Sequence, residues 1–167
     1  MPCAREGRAG LYLTLWKRLR VLDHDEREEH LEALAAWAGL DRLPRQSHRP
    51  LRSDEVVELG RGRMSIGAHT QTHPVLSALP AERQAEEIGD SKAALEALLG
   101  RPVQAFSYPY GALGPGTAEA VRRAGFAYAC ATGAGAVRRA ADPYLLPRVV
   151  VEDWDGATFA RRLAMPG

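Results

Sequence analysis

The spacing of apolar residues divides the chain into a helical first part and an alternating second part. Apolar residues recur at helical spacing over residues 12–22 and again over residues 31–38, and a polar, arginine-rich connector follows. Trp37 falls on the apolar face of the second helix, so we expect it to be buried. The pattern predicts two regions: a helical segment with its connector over residues 1–52, and a region with its own sheet over residues 53–167.

Short apolar runs alternate with helical stretches in the second region. Pro80 and Gly100 have the positions of a helix start and stop, Thr117 is expected to cap the next helix, and Asp155 the last. Four runs have the composition of strands, at residues 64–68, 103–107, 126–132 and 145–151. This alternation predicts a parallel sheet with crossover helices, which is either an open α/β layer or part of a barrel. Four strands are too few to close a barrel, which needs about eight.

Composition narrows the possible partners. The chain has 167 residues, 46% of them hydrophobic and 26% charged, with a formal net charge of +1. This balance gives no electrostatic reason to expect nucleic acid or an anionic membrane as a partner. No run approaches the roughly 18 apolar residues of a membrane span, and the N-terminal residues lack the apolar core of a signal peptide. As the sequence is written, we expect no membrane span and a cytoplasmic location.

His69 and His73 are the main candidates for chemistry. They follow the apolar run 64–68, and Pro74 prevents a regular helix from continuing through the second histidine. The helical zinc-protease motif also spaces two histidines by four, but it needs Glu directly after the first, where Thr70 stands here. The pair is a plausible half of a divalent-metal site at a strand's carboxyl end. The alternative is a loop with two ordinary histidines.

A second segment favours the metal site. The run from Val103 leads into a Tyr-Pro-Tyr-Gly turn at residues 108–111, and one helix separates this turn from the histidines. Both loops should therefore open at the same end of a parallel sheet. A pair of metal ligands and an aromatic turn at one end of a sheet predict a functional site.

Together these segments resemble polysaccharide deacetylases of the NodB-homology type (carbohydrate esterase family 4). Residues 69–73 are similar to the family's His-Ser/Thr-x-x-His motif, and residues 108–111 are similar to its third motif. Ala-Gly-Phe at residues 124–126 and Leu-Pro-Arg at residues 146–148 resemble less specific family features. The resemblance covers residues 53–164.

The resemblance implies a partial (β/α) barrel preceded by a helical segment, and a divalent metal, typically zinc, held by two His and one Asp. His69 and His73 would be metal ligands, the Tyr110 backbone N–H would donate to the oxyanion, and Arg148 would support the site. The reaction would remove N-acetyl groups from an amino-sugar polysaccharide or oligosaccharide. Further residues would contact that substrate, namely Tyr108, Pro109, Tyr110 and Trp154.

The sequence also departs from the family. The first motif, a strand ending in Thr-Phe-Asp-Asp, supplies the base and the third ligand, and this sequence contains neither it nor the closing Leu-x-His motif. We therefore expect the C-terminal portion of a truncated deacetylase that is weak or inactive as this chain. One alternative is a non-catalytic carbohydrate-binding or interaction protein on a decayed deacetylase scaffold. Another is an unrelated metal hydrolase whose third ligand comes from Asp142 or Asp153.

Overall fold

The structure, a computed structural model, describes residues 5–44, 46–62 and 64–164. Its contacts divide the chain into two compact units, one ending at Val56 and the other beginning at Val57. The boundary at residue 52 that the sequence suggests stays a prediction.

Two helices make up most of the first unit, α1 (Arg5–Leu19) and α2 (His24–Ala38). Asp23 caps α2 by accepting a hydrogen bond from the Glu26 backbone N–H at 2.9 Å, and Gly39 ends it in the left-handed conformation. None of the described residues of α2 is buried, and Trp37 is 85% exposed. The expectation that Trp37 is buried was therefore wrong. A third helix, α3 (Ser53–Arg61), spans the division between the units.

The second unit alternates helices and short strands along the chain. Its elements are α4 (Ala81–Leu99), β1 (Ala105–Ser107), α5 (Thr117–Arg123), β2 (Tyr128–Cys130) and α6 (Gly156–Ala164). The two strands pair in parallel, and single parallel bridges add Ala68 beside Phe106 and Leu146 beside Cys130. The four predicted strand segments therefore lie side by side in chain order. They are shorter than predicted, with three paired residues in each strand and one bridge in each outer segment.

A small aromatic and aliphatic core holds the sheet to its crossover helices. The Phe106 ring contacts the rings of Tyr108 and Phe126, each at a centroid distance of 5.2 Å. Ile88 of α4 and Val121 of α5 are both fully buried against this cluster. Burying these side chains is the main force that holds each helix to the sheet.

Gly116, rather than Thr117, is the N-cap residue of α5, and it has the left-handed conformation. The Thr117 side chain is buried, where its hydroxyl accepts from the Gly114 N–H at 3.0 Å and donates to the Gln84 side-chain oxygen at 2.7 Å. It therefore joins α5 to α4 instead of capping the helix. Across the described ranges, no helix is long and apolar enough to cross a membrane.

Candidate functional site

The carboxyl ends of the parallel segments bring the predicted site residues to one edge of the sheet. His69 follows the bridged Ala68, the Tyr-Pro-Tyr-Gly turn follows β1, and Thr132 and Arg148 come shortly after β2 and Leu146. Parallel strands end at the same edge, so residues distant in sequence become neighbours in space.

The two histidine rings converge through their Nε2 atoms, which are 3.1 Å apart, with ring centroids 4.8 Å apart. The His69 Nδ1 atom lies 2.6 Å from the Ser107 carbonyl oxygen, which can only accept a hydrogen bond. In the neutral ring the proton is therefore on Nδ1, and the lone pair is on Nε2. Two imidazole nitrogens on one tetrahedral zinc ion would lie about 3.3 Å apart. The spacing and the tautomer suit a shared cation, and both side chains are exposed to solvent.

The loop that carries the pair is strained and is held by its own hydroxyl group. Thr70 and His73 have positive φ angles of 67° and 59°, which are unfavourable for residues with a Cβ atom. The Thr70 hydroxyl donates to the His69 carbonyl oxygen at 2.5 Å and accepts from the His73 backbone N–H at 3.1 Å. These bonds fix the backbone at both histidines.

Glu87 of α4 holds the middle of the same loop. Its Oε2 atom accepts the backbone N–H groups of Gln71 and Thr72 at 2.8 and 2.9 Å, and its Oε1 atom accepts the Thr72 hydroxyl at 2.6 Å. The residue is only 7% exposed. Glu87 is not among the candidate residues that the sequence points to. Its position on α4 is an indication that it is buried. Glu87 lies three residues after Gln84 and four before Ser91, on the buried face of the helix.

The turn at residues 108–111 presents one tyrosine and buries the other. The Tyr108 ring is 1% exposed, and its hydroxyl donates to the Tyr144 carbonyl oxygen at 2.8 Å. Burial raises the pKa of Tyr108 to about 12. Tyr110 has a φ of 57°, is 37% exposed, and packs its ring edge-on against the His73 ring at 4.7 Å. Pro109, between them, is buried. Of the predicted aromatic contacts, the structure thus places only Tyr110 beside the histidines.

Arg148 hydrogen-bonds to the loop behind this turn. Its Nε atom donates to the Ala131 carbonyl oxygen at 2.9 Å, and its backbone N–H donates to the Gly133 carbonyl oxygen at 2.9 Å. Thr132, the residue between Ala131 and Gly133, lies directly against Gly111 of the turn. Arg148 is therefore connected to the turn by the loop that carries Thr132.

Trp154 and the candidate third ligands do not join the pair. The Trp154 ring packs against the Arg162 guanidinium at 4.8 Å, and within the described ranges no hydrogen bond or ring contact links it to either histidine. Asp142 accepts the Tyr144 backbone N–H at 2.9 Å, and Asp153 is exposed. In the parts of the chain that the structure describes, no three His, Cys, Asp or Glu side chains lie close enough together to hold a metal ion.

Comparison with known proteins identifies the class that this fold and site define. The sequence profile of the polysaccharide deacetylase family matches residues 34–129, more than half of the chain. The chain therefore belongs to the polysaccharide deacetylase family, whose members are generally metal-dependent. The profile match begins at residue 34, inside α2. The motif resemblance described from the sequence begins later, at residue 53.

Individual relatives agree with this assignment. The chain is 30% identical over 101 residues to the Bacillus subtilis (strain 168) protein named "Putative polysaccharide deacetylase YxkH". The aligned region covers 60% of the chain and 36% of that protein. The deacetylase PplD of Streptococcus pyogenes, solved with acetate, has a similar fold, with a TM-score of 0.65 and 24% identity over 70% of the chain and 52% of PplD. IcaB from Ammonifex degensii gives a TM-score of 0.56 and 26% identity over 67% of the chain and 52% of IcaB. The fold is thus a partial (β/α) barrel of the NodB-homology type. The chain spans about a third to a half of the length of these relatives.

Proposed function

We propose that this chain carries part of the active site of a metal-dependent deacetylase that removes N-acetyl groups from an amino-sugar polysaccharide. The observation that supports this most directly is the convergence of the His69 and His73 Nε2 atoms at 3.1 Å, with the His69 Nδ1 proton directed at the Ser107 carbonyl oxygen. Membership of the polysaccharide deacetylase family supports the reaction class.

The donor set fits a divalent cation of the zinc type. Neutral imidazoles are common zinc ligands, and a ring that donates its other N–H to a backbone carbonyl is held in the orientation that a metal ligand needs. His69 and His73 would hold the ion. A cation held there would supply Lewis acidity for the amide carbonyl and for a water molecule. With two protein ligands instead of the usual three or more, we expect weak affinity.

The neighbouring residues have roles that do not involve the metal directly. The Tyr110 backbone N–H would donate to the oxygen of the acetyl group as negative charge develops there, and buried Pro109 fixes the direction of that turn. The exposed part of the Tyr110 ring would border the sugar. Arg148 would keep the turn in place through Thr132. Tyr108 is buried, so we do not include its ring among the substrate contacts.

A second candidate function is binding of amino-sugar polymers without turnover. It is favoured by one observation: within the described residues, no third His, Cys, Asp or Glu joins the pair. The two candidates differ in whether the histidines matter for the function. Turnover needs them, whereas a binding surface around Tyr110 does not.

Zinc binding and acetate release test the proposal together. Calorimetry with Zn²⁺ should show one site in the chain, and His69→Ala or His73→Ala should each weaken it by at least about tenfold, because a ligand is lost. A matched control is His30→Ala, an exposed histidine on α2, which should leave zinc affinity unchanged. Acetate release from N-acetylglucosamine oligomers should require zinc and both histidines. Oligomer binding that persists in His73→Ala without any turnover would instead support the second candidate.

A further inference from the structure

We propose that Glu87 is a positioning residue for the histidine pair, and that its carboxylate sets the metal affinity of the site by holding the loop between the two ligands. The inference rests on the proposed function, because it assigns Glu87 a role at that same site. It concerns a residue on the crossover helix α4, outside the sheet edge that carries the other candidates.

The Glu87 carboxylate is directed at the loop between the two histidines. Both oxygens are used, and they accept three hydrogen bonds from two consecutive residues, Gln71 and Thr72. Those two residues lie between the ligands, so the carboxylate contacts the loop where it must bend to return His73 to His69. Hydrogen bonds to an ionised acceptor are roughly twice as strong as neutral ones, which favours this group over an amide or a hydroxyl.

The conformation of the loop shows why it needs such support. The residues on either side of Gln71 and Thr72 are Thr70 and His73, and both have positive φ angles. A β-branched threonine and a histidine adopt this conformation only where their surroundings enforce it. With the carboxylate replaced by a neutral side chain, both backbone N–H groups would lose their charged acceptor, and the loop could relax towards ordinary φ angles. The two Nε2 atoms would then separate.

Neighbouring residues show that this arrangement is specific to one position on α4. Glu86, the adjacent residue, is exposed and pairs with Arg83 on the same helix at 2.5 Å. Ile88, the next residue, is fully buried in the core. The core contact of Ile88 therefore fixes the rotation of α4 that directs Glu87 at the loop. Glu86 offers a control with the same chemical change and no contact with the loop.

The test compares Glu87→Gln with Glu86→Gln in the full 167-residue chain. Hydrogen exchange measured by NMR reports on the Gln71 and Thr72 amides, calorimetry on Zn²⁺ affinity, and thermal unfolding on the rest of the fold. We expect Glu87→Gln to speed exchange at both amides and to weaken zinc binding by about 10- to 100-fold, as other outer supports of metal ligands do. Glu86→Gln should do neither. If Glu87→Gln fails to fold, Thr72→Val is the second variant, because it removes one of the three bonds and leaves the charge in place; it should give the same two effects at smaller size.

Two results would overturn the proposal. One is unchanged zinc affinity in Glu87→Gln despite faster amide exchange, which would make Glu87 a structural residue only. The other is unchanged exchange at both amides. If the unmodified chain shows no zinc binding that depends on its histidines, the proposed function fails by itself. The positioning role is then judged by the cross-relaxation signal between the His69 and His73 rings, which Glu87→Gln should abolish and Glu86→Gln should preserve.

Discussion

Gly111 and Thr132 are packed so closely that no side chain fits on the glycine: a Cβ atom there would lie 2.7 Å from the Thr132 Cβ atom. The contact joins the Tyr-Pro-Tyr-Gly turn to the loop after β2. Gly111 also has a φ of 66°, which L-residues with a side chain seldom adopt. The position of Tyr110 against His73 therefore depends on the absence of a single methyl group one residue away.

Gly111→Ala should destabilise the second unit by about 2–4 kcal/mol, because positive-φ strain and overpacking add together. Urea unfolding measures this cost. Gly116→Ala is the matched control, since Gly116 has a φ of 84° but nothing within 4 Å of the added Cβ atom, so only the strain of about 1–2 kcal/mol applies. The double variant with Gly111→Ala and Thr132→Gly should recover the part of the unfolding free energy that overpacking costs in Gly111→Ala. Equal costs for the two glycine variants would contradict this account.

Tyr108→Phe should change how stability depends on alkaline pH. Burial raises the pKa of Tyr108 to about 12 from an ordinary value of 10, so the folded chain holds the phenol proton more tightly than the unfolded chain. This contribution is complete below pH 10 and is lost as the pH rises to 12, by about 2–3 kcal/mol in total. At pH 7 the variant should be less stable by about 1 kcal/mol, because it loses the bond to the Tyr144 carbonyl oxygen. Unfolding in urea at several pH values from 7 to 11 should show the difference shrinking above pH 10 and changing sign by about pH 11. Parallel profiles for the two proteins would show that Tyr108 does not cause the alkaline loss.

Arg148→Met tests the role of Arg148 behind the turn while keeping much of its apolar stem. It removes the Nε donor to the Ala131 carbonyl oxygen but leaves the backbone bond to Gly133, so we expect a stability cost of about 0.5–1.5 kcal/mol. The rate of any zinc-dependent acetate release should fall by more than partial unfolding of the chain, at this stability cost, would account for. Arg139→Met, at an exposed arginine nearby in sequence, serves as the control for loss of charge. Equal rates in both variants would argue against a supporting role for Arg148.

Much of the second unit could be predicted from the sequence because its signals are local. Short apolar runs separated by helical stretches leave few permitted arrangements, so a parallel sheet of four segments could be predicted; their order in the sheet comes from the structure. The capping position of Asp155 was also predictable, and its side chain accepts the backbone N–H of Thr158, three residues later. The expected places of His69 and Tyr110 at the ends of strands depended on the same reasoning.

Features that depend on tertiary contacts could not be predicted from such local patterns. Helical spacing identifies the face on which Trp37 lies, but burial requires a partner for that face, and the described part of α2 has no buried residue. Which of Tyr108 and Tyr110 is buried depends on the rotation of the turn. The role of Glu87 depends on a loop sixteen residues away in sequence that folds over its carboxylate. A carboxylate on a helix gives no sign of such a contact unless the whole buried face is followed.

The two crossover helices of the sheet differ greatly in length, with 19 residues in α4 and 7 in α5, yet both return the chain to an adjacent place in the same sheet. The strand ends therefore set where each loop of the candidate site begins, whatever the length of the helix that precedes the strand. The helices can differ in length at their far ends, as long as α4 keeps Glu87 against the histidine loop. Such a design is modular: the loops at the carboxyl edge can diverge in sequence and the crossover helices can differ in length while the order of the parallel segments stays the same.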